Sequence, residues 1–159
     1  MDQRNVELSI NGDKYQIAVR PNEFLADVLR YRLDLTGTKT ACDMGVCGSC
    51  TVLLDGLPVS SCLTLAVDAE GKEITTIEGL ESADGELHQI QASFLDKGAV
   101  QCGFCTAGMV MTTKGFLDKN PHPTEREIRQ ALSGNICRCT GYTKIIEAVE
   151  DAAKKMRPR

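Results

Sequence analysis

The sequence predicts an α+β fold in two halves: a small mixed sheet crossed by one helix over residues 1–80, then an all-α four-helix domain over residues 81–159. Three observations predict it. In the first half apolar residues alternate with polar ones, the period of a half-buried strand. In the second they recur at three- and four-residue intervals, the period of a helix packed on one face. Eight cysteines divide four and four between the halves.

Val6, Leu8 and Ile10 form the first alternating run, and Asn11-Gly12-Asp13 turns the chain into Tyr15, Ile17 and Val19. Asn-Gly suits the positive backbone angles of a two-residue turn, so a hairpin is expected. Pro21-Asn22-Glu23 breaks the pattern. Phe24, Leu25, Val28, Leu29 and Leu33 then predict a short amphipathic helix. Thr51–Leu54 and Leu57–Ser61 flank Asp55-Gly56, a second hairpin, and Ile74–Ile77 reads as the last strand.

Glu81-Ser82-Ala83-Asp84-Gly85 is the expected linker. Beyond it, Leu87, Ile90, Phe94 and Leu95 share one helix face, and Met109, Val110, Thr113, Phe116 and Leu117 mark a second helix, stopped by Pro121 and Pro123. Thr124 with Glu127 three residues on is a capping box opening a third helix, with Ile128, Ala131 and Leu132 on its inner face and Gly134 at its end. Ile145, Ile146, Val149, Ala152 and Ala153 mark a fourth, and the basic tail from Lys154 to Arg159 reads as a frayed end.

Composition narrows the function. A chain of 159 residues with 42% hydrophobic and 25% charged residues is globular rather than disordered. Its net charge of −4 argues against a nucleic-acid surface, which is usually basic. No run approaches a membrane span. The N-terminus lacks the basic start and apolar stretch of a secretory signal. Cytoplasmic folding is therefore expected, with export alongside a partner left open. In that compartment disulfides are rare and metal ligation is the better default for an even cysteine count.

The first four cysteines are Cys42-x4-Cys47-x2-Cys50 and the distant Cys62. This is plant-type [2Fe–2S] ferredoxin spacing. Two irons need two thiolates each, and a loop supplying three of them must curl. Gly45 and Gly48 lie inside that loop, where a missing Cβ permits the curvature and lets N–H groups approach sulfur. A four-cysteine zinc site or two disulfides are the alternatives, but zinc usually pairs two short knuckles. A Rieske centre needs two His ligands, and His88 and His122 are remote from every Cys and read as surface residues. The second four are Cys102-x2-Cys105 and Cys137-x-Cys139, each pair just before a predicted helix. Two helix starts would line the space between them with free N–H groups and positive dipole ends, favouring an anionic cluster. Zinc remains the competitor on spacing alone.

Leu35-Thr36-Gly37-Thr38-Lys39, Cys47-Gly48-Ser49-Cys50-Thr51-Val52, Gln101-Cys102-Gly103-Phe104-Cys105-Thr106 and Gly134-Asn135-Ile136-Cys137-Arg138-Cys139-Thr140-Gly141-Tyr142 together resemble the small iron–sulfur subunit of the molybdenum hydroxylases, the xanthine dehydrogenase, aldehyde oxidoreductase and aerobic carbon monoxide dehydrogenase family. The resemblance runs from Val6 to about Ala153. It implies a β-grasp, plant-type ferredoxin domain over 1–80 with an outer [2Fe–2S] cluster on Cys42, Cys47, Cys50 and Cys62. It implies a second [2Fe–2S] cluster on Cys102, Cys105, Cys137 and Cys139 in a four-helix domain over 81–159. By the same resemblance Cys139 is the ligand nearest a molybdopterin held by a large partner subunit, and Gln101 hydrogen-bonds that pterin. Electrons would pass from the molybdopterin through both clusters towards FAD, on a medium partner subunit, or another acceptor. The resemblance further implies a hetero-oligomer such as a dimer of heterotrimers, and no catalytic residue in this chain. The alternative is a free-standing two-cluster ferredoxin-like carrier.

Ala41, Ser49 and Ala107 depart from the commonest family residues, Gly, Ala and Pro, without removing a ligand. Ser49 could donate to an outer-cluster sulfur or to nearby backbone. Arg138, between two ligands, could offset cluster charge, meet a partner or be solvated.

Overall fold

The computed structural model describes residues 3–81 and 84–156. Ser82 and Ala83 of the expected linker and residues 157–159 of the expected frayed tail lie outside the described residues. Among the described residues five strands form one mixed sheet in the order β2-β1-β5-β3-β4. These are β1 (Arg4–Ile10), β2 (Asp13–Val19), β3 (Thr51–Leu54), β4 (Leu57–Ser60) and β5 (Glu73–Thr75). β1 runs parallel to β5 and every other pairing is antiparallel. Both hairpin turns use left-handed residues, Asn11 and Gly12 in one and Asp55 and Gly56 in the other. The α+β class expected from the sequence is the class observed.

Two expectations in this half need correcting. The helix after Pro21 is one α-turn, α1 (Leu25–Asp27), that widens into a π-turn over Val28–Arg32. Leu25, Val28 and Leu29 are buried, whereas Phe24 is partly exposed. The last strand ends at Thr75, and Ile77 opens a 3-10 turn (Ile77–Leu80) instead of continuing it. Ile77 packs against the helical core, so tertiary contact outweighs its strand preference.

The second half holds α2 (Gln89–Asp96), α3 (Thr106–Leu117), α4 (Glu125–Ala131) and α5 (Thr143–Lys155). The Thr124–Glu127 capping box forms at the start of α4. Leu87 precedes α2, and both Leu87 and Leu95 are exposed, so the inner face of α2 is Ile90 and Phe94. His88 is not a plain surface residue. Its Nδ1 accepts from the Ile90 N–H at 3.2 Å while Gln91 accepts from the His88 N–H, which caps α2.

There are two main cores. Val6, Leu8, Ile10, Leu25, Leu29, Val52 and Ile74 fill the space between sheet and α1. Ile90, Phe94, Met109, Met111, Ile128, Ile145 and Val149 fill the helical half. Leu53 joins the helical core although its neighbour Val52 joins the other. Successive strand residues face opposite ways, so β3 serves both cores. Gly115 makes this possible: a Cβ there would meet Pro58 at 2.7 Å and Leu53 at 3.0 Å. Helix α3 thus lies directly on the β3–β4 hairpin. Among the described residues no helix is long and apolar enough to cross a membrane.

Candidate iron–sulfur sites

Cys42, Cys47 and Cys50 lie in the loop between the α1 π-turn and β3, and Cys62 follows β4. The loop is fastened by cations. Arg30 Nη1 donates to the carbonyls of Thr36 and Thr38, and Lys39 Nζ to those of Thr36 and Gly37. Its ends are pinned by the Lys39 N–H on the Ser49 carbonyl and the Ser61 hydroxyl on the Cys50 carbonyl, at 3.4 and 2.7 Å. The first turn of α1 anchors the return strand, with the Leu25 and Ala26 N–H groups on the carbonyls of Thr64 and Ser61. Cys50 and Cys62 are thereby buried against Ala26.

Backbone N–H groups converge on sulfur here. Those of Met44, Cys47 and Val46 hold the Cys42 thiol down at about 6, and the Cys47 N–H lies 3.4 Å from Cys42 Sγ. Burial, then the Cys50 thiol, pushes Cys62 up to about 11, against the Gly45 N–H that favours its thiolate. Gly45 sits at φ 73°, a left-handed angle, and a side chain there would collide with Leu63.

Cys105 directly precedes the first residue of α3, without a side-chain capping hydrogen bond, and Cys102 stands one turn earlier. Cys137 and Cys139 lie in the loop that enters α5. The Tyr142 hydroxyl accepts from the Cys137 N–H at 2.9 Å and donates to the Asn135 carbonyl at 3.4 Å, closing that loop on itself. Burial, then Cys137, raises Cys105 to about 12. Burial also pushes Cys137 up, but the Thr140 hydroxyl and N–H, the Cys139 N–H and the Cys105 thiol together offset it and leave the thiol below its ordinary value. Cys102, hydrogen-bonded to Cys139, raises the Cys139 thiol.

All eight thiols are free, so no disulfide forms. Each four divides into two pairs: Cys42 with Cys47, Cys50 with Cys62, Cys105 with Cys137, and Cys102 with Cys139. The sulfurs of Cys102 and Cys139 are 3.6 Å apart. Two thiolates about 2.3 Å from one tetrahedral metal would stand about 3.8 Å apart. Among the described residues no three His, Cys, Asp or Glu side chains close around a point as they would around one ion. Two thiol pairs per set, with N–H donors aimed at sulfur, fit a two-iron centre bearing two thiolates on each iron.

A cavity of 230 Å³ is lined by all four thiols of the second set, with Ser49 and Arg138. Ser49 is buried there and so lies beside the second set as well as within the first loop. Arg138 is exposed at the rim. Gln101, Cys102 and Cys139 are also exposed, and Gln101 directly precedes Cys102 in the chain. The His88 cap was missed because histidine lacks the usual capping signature of Ser, Thr, Asp or Asn, leaving Gln91 three residues on as its one signal.

Two family models match the chain: the 2Fe-2S iron-sulfur cluster binding domain over residues 8–76 and the [2Fe-2S] binding domain over residues 76–150. The nicotine 6-hydroxylase small subunit of Paenarthrobacter nicotinovorans is 50% identical, over 95% of this chain and 90% of that one. The structure of quinoline 2-oxidoreductase from Pseudomonas putida 86 superposes with a TM-score of 0.92 at 49% identity, over 97% of this chain and 96% of that one. The aldehyde oxidoreductase of Desulfovibrio gigas superposes at 0.90 with 39% identity, over 98% of this chain but 18% of that one.

Proposed function

This chain belongs to the small iron–sulfur subunits of the molybdenum hydroxylases, and we propose that it connects a molybdopterin-bearing partner to a flavin-bearing one through clusters held by its two sets of four thiols. It is the electron-transfer subunit of an oxidoreductase complex and carries no catalytic residue of its own. It has two [2Fe–2S] binding domains. In our reading Cys42, Cys47, Cys50 and Cys62 hold the outer cluster, and Cys102, Cys105, Cys137 and Cys139 the inner one.

One observation carries this reading: two sets of four free thiols, each split into two pairs, with backbone N–H groups directed at sulfur. A bound [2Fe–2S] cluster supplies one-electron storage at a potential set by charge, hydrogen bonds and exposure. The chain's own part is to orient the thiolates, donate to them, and limit solvent at Cys50, Cys62 and Cys137.

The exposure of Gln101, Cys102 and Cys139 supports a molybdopterin contact at these residues, with Gln101 hydrogen-bonding the pterin and Cys139 as its nearest ligand. Two cores, one of the sheet and one chiefly of the helices, and family models that meet at residue 76, support a ferredoxin-like domain over 1–80 and a four-helix domain over 81–159. Cytoplasmic residence is part of the same reading. A free-standing carrier is the alternative. The name of the Paenarthrobacter relative, a small subunit, and the much longer Desulfovibrio chain favour the subunit.

Iron and sulfide analysis of the natively purified protein, with EPR after reduction, tests the assignment. Four irons per chain and two distinct [2Fe–2S] signals are expected, and the chain should comigrate with larger subunits. Cys62→Ser should abolish or alter one signal and Cys105→Ser the other. Zinc without iron, or both substitutions acting on the same signal, would overturn the ligand sets.

A further inference from the structure

The two thiol loops meet along one seam of backbone. The Ile136 N–H donates to the Cys47 carbonyl at 2.9 Å. Next to it the buried Asn135 Nδ2 donates to the Gly48 carbonyl at 3.1 Å. Nothing separates the strands of this seam. A Cβ on Gly48 would stand 2.5 Å from both Asn135 Nδ2 and the Gly134 carbonyl, and a Cβ on Gly108 would run into the Gly48 carbonyl. Cys47 belongs to the first set of thiols, and Ile136 directly precedes Cys137 of the second. One backbone hydrogen bond therefore links a residue of one set to the neighbour of a residue of the other.

The Gly48 carbonyl does not need Asn135 for its own satisfaction. It already accepts from the Thr51 N–H and the Thr51 hydroxyl, at 3.2 and 2.7 Å. Asn135 in turn is held from behind, by its N–H on the Leu132 carbonyl and by the Tyr142 hydroxyl on its carbonyl. Its amide is thus a rigid arm of the second loop that grips the first. A buried amide that lost this acceptor would pay its desolvation uncompensated, so the grip resists opening.

We propose that Asn135 is a positioning residue for electron transfer between the two centres. Its side chain clamps Gly48 and so holds the Cys47–Ile136 hydrogen bond as the contact through which the centres communicate. The inference rests on the ligand sets proposed above. The transfer it serves moves one electron: the inner centre is oxidised by one, the outer centre is reduced by one, and no bond or proton is exchanged.

The test uses the full complex carrying Asn135→Asp, which keeps the size and replaces the donor by an acceptor, and Asn135→Ala, which removes the arm. Ser133→Ala is the control, since its exposed hydroxyl bonds the Gln130 carbonyl within its own helix end rather than the first loop. Three quantities are read: iron per chain, the magnetic splitting between the two reduced centres in low-temperature EPR, and hydrogen exchange at the Ile136 amide. In both Asn135 variants iron and the two separate signals should persist and the splitting weaken. Ile136 exchange should rise about tenfold or more as the seam opens. Ser133→Ala should match the wild type. Unchanged splitting and exchange in both variants would overturn the proposal. So would loss of iron from either centre in both, which would make Asn135 a folding residue. A wild type without two [2Fe–2S] signals would instead defeat the ligand sets, and this inference with them.

Discussion

Gly108 occupies the first turn of α3, where alanine would ordinarily add about 1 kcal/mol of helix stability. Here the added methyl would strike the Gly48 carbonyl and lie 3.0 Å from the Ser49 Cα, both backbone atoms that cannot rotate away. Overpacking of this kind costs about 1–3 kcal/mol and outweighs the propensity gain. Gly108→Ala should therefore lower the Tm of the holoprotein in a thermal melt, and a raised Tm would show that the start of α3 can shift. Thiol chemistry is just as local. Cys42 sits among N–H donors and its thiol is lowered, whereas half-buried Cys105 is raised, although both belong to sets of four. Sequence spacing revealed which cysteines group together. Which two form a pair depends on how the loops curl, and residue type does not encode that.

Helix α4 has only seven residues, too few to be stable without help from its ends. Its capping box supplies that help, with the Glu127 N–H on the Thr124 hydroxyl and the Thr124 N–H on the Glu127 carboxylate. Thr124→Ala should cost about 1 kcal/mol in urea unfolding. Loss of less than a few tenths would mean that burial of Ile128 alone holds the helix. This cap, both hairpins and the four helices of the second half were legible because each has a local signal: an Asn-Gly or Asp-Gly pair, a Thr-x-x-Glu, or a clear period. The elements that differed lack one. The π-turn after α1 depends on how Val28 and Leu29 settle on the sheet. The end of β5 depends on Ile77 finding the helical core, and the exposure of Leu87 and Leu95 on where α2 begins and which face it turns inward.

Across the whole molecule, polar contacts tie α2 to α5. Asp151 accepts from the Ser93 hydroxyl at 2.8 Å and pairs with Lys97 and Lys155 at 3.3 and 2.8 Å, while Lys155 also reaches Asp96. Lys155 first, then Ser93 and Lys97, pull the Asp151 carboxyl down to about 2, against a burial effect in the other direction. A depressed carboxylate contributes stability above its unfolded value near 3.8, and that contribution fades as the pH falls towards 2. Asp151→Asn should thus lower stability by about 1 kcal/mol at pH 7, the scale of a partly exposed pair. The Tm gap between variant and wild type, measured at each pH from 7 down to 3, should narrow below pH 4. A gap independent of pH would assign the effect to packing. The two halves also share α3, which is buried on nearly every side between the β3–β4 hairpin and the other helices. That helix removes modularity from the chain. A ferredoxin half inherited alone would leave the buried Leu53 bare, so a change on the outer face of the sheet is tolerated only with a matching change in α3, and the two halves must evolve as a pair.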